Sequence, residues 1–275
     1  MYTSIVSVLY GFTGSDIMGI LIPTVRSLDP TCIAVRGLWV WLHLLQFCVS
    51  NQSLEPEEDR KNKPWRPIPS GALSMRSART FRWGLLVACL AFSAQCGALI
   101  PSAAFSFATW AHNEAKLGSQ WISRNVLNGI GYSSFSVGAS YVGRSALDHF
   151  SASEVLVGQM LIFAVISTTI QAQDFKDVEG DILVGRQTLP IVFPIASRIV
   201  TVLLIPVWSF FFAFFYPTAY PSLLFLVGIL GAINSVRFWF IRTRDGDKVS
   251  YLLYNVWLCS LHVIPFTAIA VIGPF

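Results

Sequence analysis

The sequence predicts an all-α, polytopic membrane protein with nine transmembrane helices, organised as a single domain over residues 1–275. Three observations lead there. Of the 275 residues 54% are hydrophobic and 12% charged, with a mean hydropathy of +0.59, whereas soluble domains carry about 25% charge. Aromatic residues make up 14%, among them 21 Phe and 9 Trp, so the bilayer is the expected solvent for most of the chain. The apolar residues also gather into long runs, each near the ~20 residues that cross a hydrocarbon core. Secreted, disordered, collagenous and nucleic-acid-binding classes are set aside, because an excess of 19 Lys and Arg over 15 Asp and Glu is too small to call for a polyanionic partner.

The first run, 3–25, follows Met1 with no basic segment, so no cleavable signal is expected and the run should stay in the mature protein. It contains Asp16, which is either an intramembrane functional acid or, with Thr13 and Ser15, the interfacial start of a shorter span. The second run is 33–50. The third, 83–111, is too long for one crossing of a ~30 Å core, and Gly97 and Pro101 near its middle predict a turn between two shorter helices. The remaining runs are 121–143, 155–172, 194–216, 219–241 and 251–273.

Splitting the third run changes the side of every later loop, so basic residues can arbitrate. With nine spans and the N-terminus inside, the inner loops hold Arg60, Lys61, Lys63, Arg66, Arg76, Arg79, Arg82, Lys116, Arg124, Lys176, Arg186, Arg198, Arg237, Arg242, Arg244 and Lys248. Only Arg26, Arg36 and Arg144 fall outside. Eight spans spread the same charges over both sides. The nine-span arrangement places the 51–82 and 173–198 loops together on the cytoplasmic side. Trp39, Trp41, Trp110, Trp121, Trp239 and Trp257 lie near predicted span ends, as an aromatic belt requires. The five cysteines lack metal-ligand spacing and read as small buried hydrophobes. The four histidines, scattered without a partner nucleophile or metal spacing, read as satisfied core or interface residues.

Eight of the 15 acidic residues sit in two short stretches, each directly after an apolar run. In the first, Asn51, Glu55 and Asp59 recur at i, i+4, i+8 and would share one helix face. In the second, Asp174, Asp177 and Asp181 recur at i, i+3, i+7 and would do the same. Carboxylates this close repel one another unless a cation sits among them. Two such faces offer hard oxygen ligands of the kind Mg2+ combines with phosphate oxygens. Behind each cluster comes basic sequence rich in Pro or Gly, Asn62-Lys63-Pro64-Trp65-Arg66-Pro67-Ile68-Pro69-Ser70-Gly71 and Gly185-Arg186-Gln187-Thr188-Leu189-Pro190. Pro64, Pro67 and Pro69 forbid a regular helix and fix the loop path, which can hold Lys63 and Arg66 near the acids to bind a diphosphate. Two further pairs, Asn113 with Lys116 and Asn125 with Asn128, could reach a diphosphate or serve as interhelical hydrogen bonds.

These two motifs resemble the signatures of the UbiA superfamily of membrane prenyltransferases, NxxxDxxxD followed by NKPxRPxPSG, and DxxDxxGD followed by GxxTLP. Spacing and spacer residues match together, and the first motif with the 121–132 stretch looks most similar to the fungal branch that includes UbiA-type terpene cyclases. The resemblance implies helices arranged around a central cavity, in an integral membrane protein of the endoplasmic reticulum with its motif loops facing the cytoplasm. It implies Mg2+ as cofactor, held by Asn51, Glu55, Asp59, Asp174, Asp177 and Asp181. It also implies an isoprenoid diphosphate of farnesyl or geranylgeranyl length, contacted by Asn62, Lys63, Arg66, Arg186, Lys116 and Asn125. Glu55 departs from the family's usual Asp, Pro56 interrupts the first motif, and Gln173 replaces a common basic residue. The Tyr usual before the second motif is replaced by the Thr168 to Gln171 stretch. These departures touch acceptor chemistry more than ionisation, so the expected activity is ionisation followed by cyclisation to a terpene. Transfer of the prenyl chain to an aromatic or quinone-precursor acceptor is the alternative, and a secondary transporter is disfavoured because the acids stand at loop entrances instead of mid-span.

Overall fold

A computed structural model of the chain describes residues 30–54, 56–142 and 152–272. The first predicted span, with Asp16, and Glu55 lie outside the described residues, as does the side chain of Asn62. Eight longer helices account for the other predicted runs: α1 (Pro30–Leu54), α3 (Met75–Gln95), α4 (Leu99–Asn113), α5 (Trp121–Val142), α6 (Ala152–Thr169), α9 (Pro194–Phe215), α10 (Pro221–Phe240) and α11 (Arg244–Ile272). Three short helices, α2 (Pro56–Asn62), α7 (Val178–Leu183) and α8 (Leu189–Val192), belong to the loops. No strand occurs among the described residues; a single parallel bridge pairs Gln120 with Gln187. Four stretches, Ile33–Leu54, Leu156–Lys176, Pro194–Phe215 and Pro221–Phe240, are long and apolar enough to cross a membrane.

Local chemistry sets the boundaries. The described residues of the first motif lie in α1 up to Leu54 and in α2 from Pro56 on. Asn51 lies in the last turn of α1 and Asp59 in α2, with Glu55 between them outside the described residues. Ser74 caps α3 by accepting from the Ser77 amide at 3.1 Å. The predicted split of the third run occurs at Gly97, whose φ of 70° is a left-handed conformation that glycine adopts without strain. Pro101 falls in the first turns of α4.

Two apolar clusters organise the bundle. Trp39, Leu45, Leu85, Phe105 and Phe135 fill the space among α1, α3, α4 and α5. Ile166, Ile205, Phe212, Phe238 and Trp257 fill that among α6, α9, α10 and α11. Outward-facing residues are also apolar, including Ile100, Phe210, Phe214, Phe225 and Phe240, which matches lipid as the surrounding solvent. The belt expected of the tryptophans fails for two of them. Trp39 and Trp257 are fully buried, their indole N–H groups donating to Ser93 Oγ at 2.8 Å and Ser209 Oγ at 2.9 Å, because apolar runs alone do not reveal which face of a helix meets protein.

Candidate active site

Both acidic motifs lie at one end of the bundle. α2 and α7 are neighbours, and Lys61 to Glu179 (3.6 Å) and Lys63 to Asp177 (3.7 Å) tie the first motif loop to the second. The loop after α2 is built of turns, with the Ser70 amide returning to the Arg66 carbonyl at 3.0 Å and Gly71 at φ 77°. The second motif is tighter than the predicted α-helix. α6 passes into a 3-10 helix over Ile170–Lys176, and Asp177 stands at the junction with α7. A 3-10 turn has three residues, which brings the Asp177 amide back to the Asp174 carbonyl at 3.1 Å.

In this arrangement each described motif carboxylate has its own basic partner. Asp59 receives Arg66 Nη1 on both oxygens at 2.9 and 3.2 Å. Asp174 receives Arg124 Nε and Nη2 on Oδ1 at 3.1 and 3.0 Å. Asp181 receives Arg186 Nη1 at 2.7 Å, and Asp177 receives Lys176 Nζ at 2.5 Å with Lys63 beside it. Asp59, Asp174 and Asp181 are buried, and burial raises the Asp181 carboxyl to about 6 despite Arg124 and Arg186. Burial acts in the same direction on Asp177, but Lys176 and Lys63 outweigh it and hold that carboxyl below the ordinary range.

The cavity these residues border has two continuous parts. The polar mouth, about 1340 Å³ including its open entrance, is lined by Lys63, Arg66, Arg124, Lys176, Arg186, Arg244 and Lys248, with Asp177, Asn51 and Trp65. Phe47, His112, Asn128, Gln173, Tyr251 and Asn255 border both parts. Deeper, about 830 Å³ of space is walled by Leu44, Phe105, Ala108, Leu127, Tyr132 and Phe135. Phe105 and Phe135 pack at a centroid separation of 4.6 Å.

Asn51, Lys63, Arg66, Asp177 and Arg186 thus reach the mouth, whereas Asp59, Asp174 and Asp181 stand behind Arg66, Arg124 and Arg186. Two residues predicted to contact diphosphate lie elsewhere. Lys116 is exposed, at a left-handed φ of 54°, outside the cavity lining. Asn125 is buried between helices and donates to Gln171 Oε1 at 3.1 Å, the interhelical role its spacing equally allowed. Sequence reasoning assigned no site role to Arg124, His112, Lys176, Gln173, Arg244, Lys248, Tyr251 or Asn255. Arg124 had a usable signal, since a charge inside an apolar run is costly without a task.

Whether Mg2+ suits this site can be judged from the donors. Among the described residues no three His, Cys, Asp or Glu side chains converge to form a protein-only cage. Yet Asp174 Oδ2 and Asp181 Oδ2 are buried with no hydrogen-bond partner, a costly state for a carboxylate. Mg2+ usually takes one or two carboxylates together with phosphate oxygens and water, so the donor set fits.

Residues 16–259 match the UbiA prenyltransferase family. The chain belongs to that family. Fumagillin beta-trans-bergamotene synthase af520 of Aspergillus fumigatus is 28% identical over 282 residues, covering 95% of this chain and 92% of the synthase. Diterpene cyclase eriG of Hericium erinaceus is 28% identical over 295 residues, covering 97% of this chain and 89% of the cyclase. A UbiA homologue from Archaeoglobus fulgidus, solved with GPP and Mg2+ bound, superposes with a TM-score of 0.60 at 15% identity over 96% of this chain and 95% of its own. UbiA relatives of this chain therefore include terpene-forming enzymes, and the helical architecture is shared with a solved member of the fold.

Proposed function

We propose that this UbiA member ionises a prenyl diphosphate of farnesyl or geranylgeranyl length and cyclises the chain to a terpene hydrocarbon, releasing diphosphate. The observation that carries this reading is the continuity of a cation-lined mouth with an aromatic-walled apolar compartment. Lys63, Arg66, Arg124 and Arg186 bind the diphosphate and stabilise charge as the allylic C–O bond breaks, its electron pair leaving with the diphosphate. Mg2+ held by Asn51, Asp177 and the open oxygens of Asp174 and Asp181, with Asp59 and Glu55 of the first motif, supplies further charge neutralisation when bound. A double bond of the same chain then donates its π pair to the allylic carbon, and loss of one proton gives a neutral ring. The faces of Phe47, Phe105, Tyr132, Phe135 and Tyr251 stabilise the migrating positive charge, and the apolar walls keep water from capturing it.

The reading also sets the protein in the endoplasmic reticulum membrane with the motif loops toward the cytoplasm, where water-soluble diphosphate can leave. A second reading, prenyl transfer, is favoured by Asn128, Gln173 and Asn255, whose polar groups at the junction could orient an acceptor. One experiment separates the two. Purified protein in lipid nanodiscs receives Mg2+ and a prenyl diphosphate with no acceptor, followed by gas chromatography of the extract. Cyclic hydrocarbon with stoichiometric diphosphate supports cyclisation; diphosphate release that waits for an aromatic acceptor replaces it with transfer.

A further inference from the structure

A buried hydrogen-bond chain joins the two motifs. Asn51 Nδ2 donates to Asn113 Oδ1 at 3.1 Å, and His112 Nδ1 meets the same oxygen at 2.9 Å. Across the imidazole, His112 Nε2 lies 3.4 Å from Arg124 Nη1, and Arg124 holds Asp174 through Nε and Nη2. The ends fix the polarity. Asn113 gives its Nδ2 to Ser50 Oγ at 3.0 Å, so its Oδ1 can only accept, and His112 Nδ1 must carry the proton. Arginine can only donate, so His112 Nε2 is bare. The imidazole is neutral and in one tautomer.

The ring is also confined. Phe47 packs edge-on at 5.5 Å, and a Cβ at Gly118 would lie 2.5 to 2.7 Å from three ring atoms. Gly118 is held in place in turn, because the Gln187 amide donates to the Ser119 carbonyl at 2.7 Å and the Trp121 amide to Gln187 at 3.0 Å. That joins the α4–α5 loop to the segment following the second motif.

What this achieves is visible at Asp174. A guanidinium free to turn prefers to take a carboxylate through two parallel hydrogen bonds, one to each oxygen. Here Arg124 Nη1 is engaged by His112 Nε2 and the Gly118 carbonyl at 3.3 Å. Held there, the guanidinium cannot turn to bring Nη2 onto the second oxygen: Nε and Nη2 both fall on Oδ1, and Oδ2 keeps no partner. We propose that His112 is a positioning residue that anchors Arg124, keeping one oxygen of Asp174 open toward a metal-bridged diphosphate while Asn113 fixes Asn51 of the opposite motif. The inference rests on the diphosphate-binding reading above. It concerns which chain residue prepares the site, and no motif residue is involved in the substitution that tests it.

The test is calorimetric titration of inorganic pyrophosphate, with Mg2+ present, into the full-length protein in nanodiscs. His112→Leu removes both ring nitrogens and lets Arg124 close over Asp174, so affinity should fall about 10- to 100-fold, as for other residues that orient metal ligands. His112→Gln returns an acceptor toward Arg124 and should recover affinity to within a few-fold of wild type. Unchanged affinity in His112→Leu, or equal losses in both variants, overturns the proposal. Should His112→Leu fail to fold, the wild type still decides. Nitrogen-15 spectra of labelled histidine should show several rings protonated at Nδ1, since His43 and His262 also place that nitrogen on backbone carbonyls, and one of them should shift its bare nitrogen when Mg2+ and pyrophosphate are added. No histidine response, or a protonated Nε2 at the responding ring, overturns it. A wild type that does not bind Mg2+ and pyrophosphate at all removes the proposed function as well, whereas unaffected variants remove this inference alone.

Discussion

Asp59 closes the first motif and Asp177 stands in the middle of the second, and their surroundings separate the consequences of losing them. Asp177 lines the mouth with two lysines at its oxygens, so Asp177→Ala should lower turnover by about 10² to 10³ with little change in thermal unfolding. Diphosphate release and a melting curve on the same preparation check this. Asp59 is buried under Arg66; Asp59→Ala strands a buried guanidinium, a loss of about 3–5 kcal/mol in comparable pairs, and should lower the melting temperature as well as turnover. Equal melting temperatures for the two variants would show that the Asp59–Arg66 pair does not hold the loop. Asp181 adds a pH signature. Burial lifts its carboxyl from 3.8 to about 6 in the metal-free protein, and a metal binds the deprotonated form. Mg2+ affinity should therefore be highest above pH 6 and weaken as pH falls through that value, which titrations at pH 5 to 8 would reveal. Of the residues around these acids, Lys63, Arg66 and Arg186 were legible from motif spacing alone. Arg124 and His112 were not, because they meet the motifs through tertiary packing of α4 and α5, which no local pattern records.

At the scale of elements, composition and proline placement carried most of the architecture. The break at Gly97 and the irregular path through Pro64, Pro67 and Pro69 follow from backbone constraints that act locally. The 3-10 geometry of Ile170–Lys176 was not legible, since periods of 3.0 and 3.6 give nearly the same spacing over so few residues. Helix orientation was equally hidden, which is why Trp39 and Trp257 were misplaced at an interface. The contact that buries Trp39 makes a prediction. A Cβ on Gly138 of α5 would lie 2.0 Å from the Trp39 ring of α1, and both flanking helices are packed too closely for that ring to swing aside. Gly138→Ala should therefore destabilise by about 1–3 kcal/mol, read as a lower melting temperature in detergent. Gly228→Ala, where no atom lies within 4 Å of the added carbon, should leave melting unchanged or slightly raised and serves as the control.

For the whole molecule, the decisive feature is that a cation-lined mouth and an aromatic-walled apolar compartment stand at opposite ends of one cavity. Removing divalent ions with excess EDTA should abolish turnover, Mg2+ should restore it, and full activity in EDTA would end the metal-dependent reading. The charge of the mouth has a consequence for kinetics too. Among the described residues its lining places seven cations beside one carboxylate, while three further carboxylates stand behind the arginines. A cleft of one sign with low-dielectric walls focuses its field outward and speeds the approach of an oppositely charged ligand. Capture of a prenyl diphosphate should thus be steered from a distance, with an association rate that falls severalfold as salt rises from about 50 to about 500 mM, where screening shortens to a few ångströms. Stopped-flow binding of an unreactive diphosphate analogue would follow this, and the dissociation of its apolar tail from the aromatic compartment should change far less over the same range.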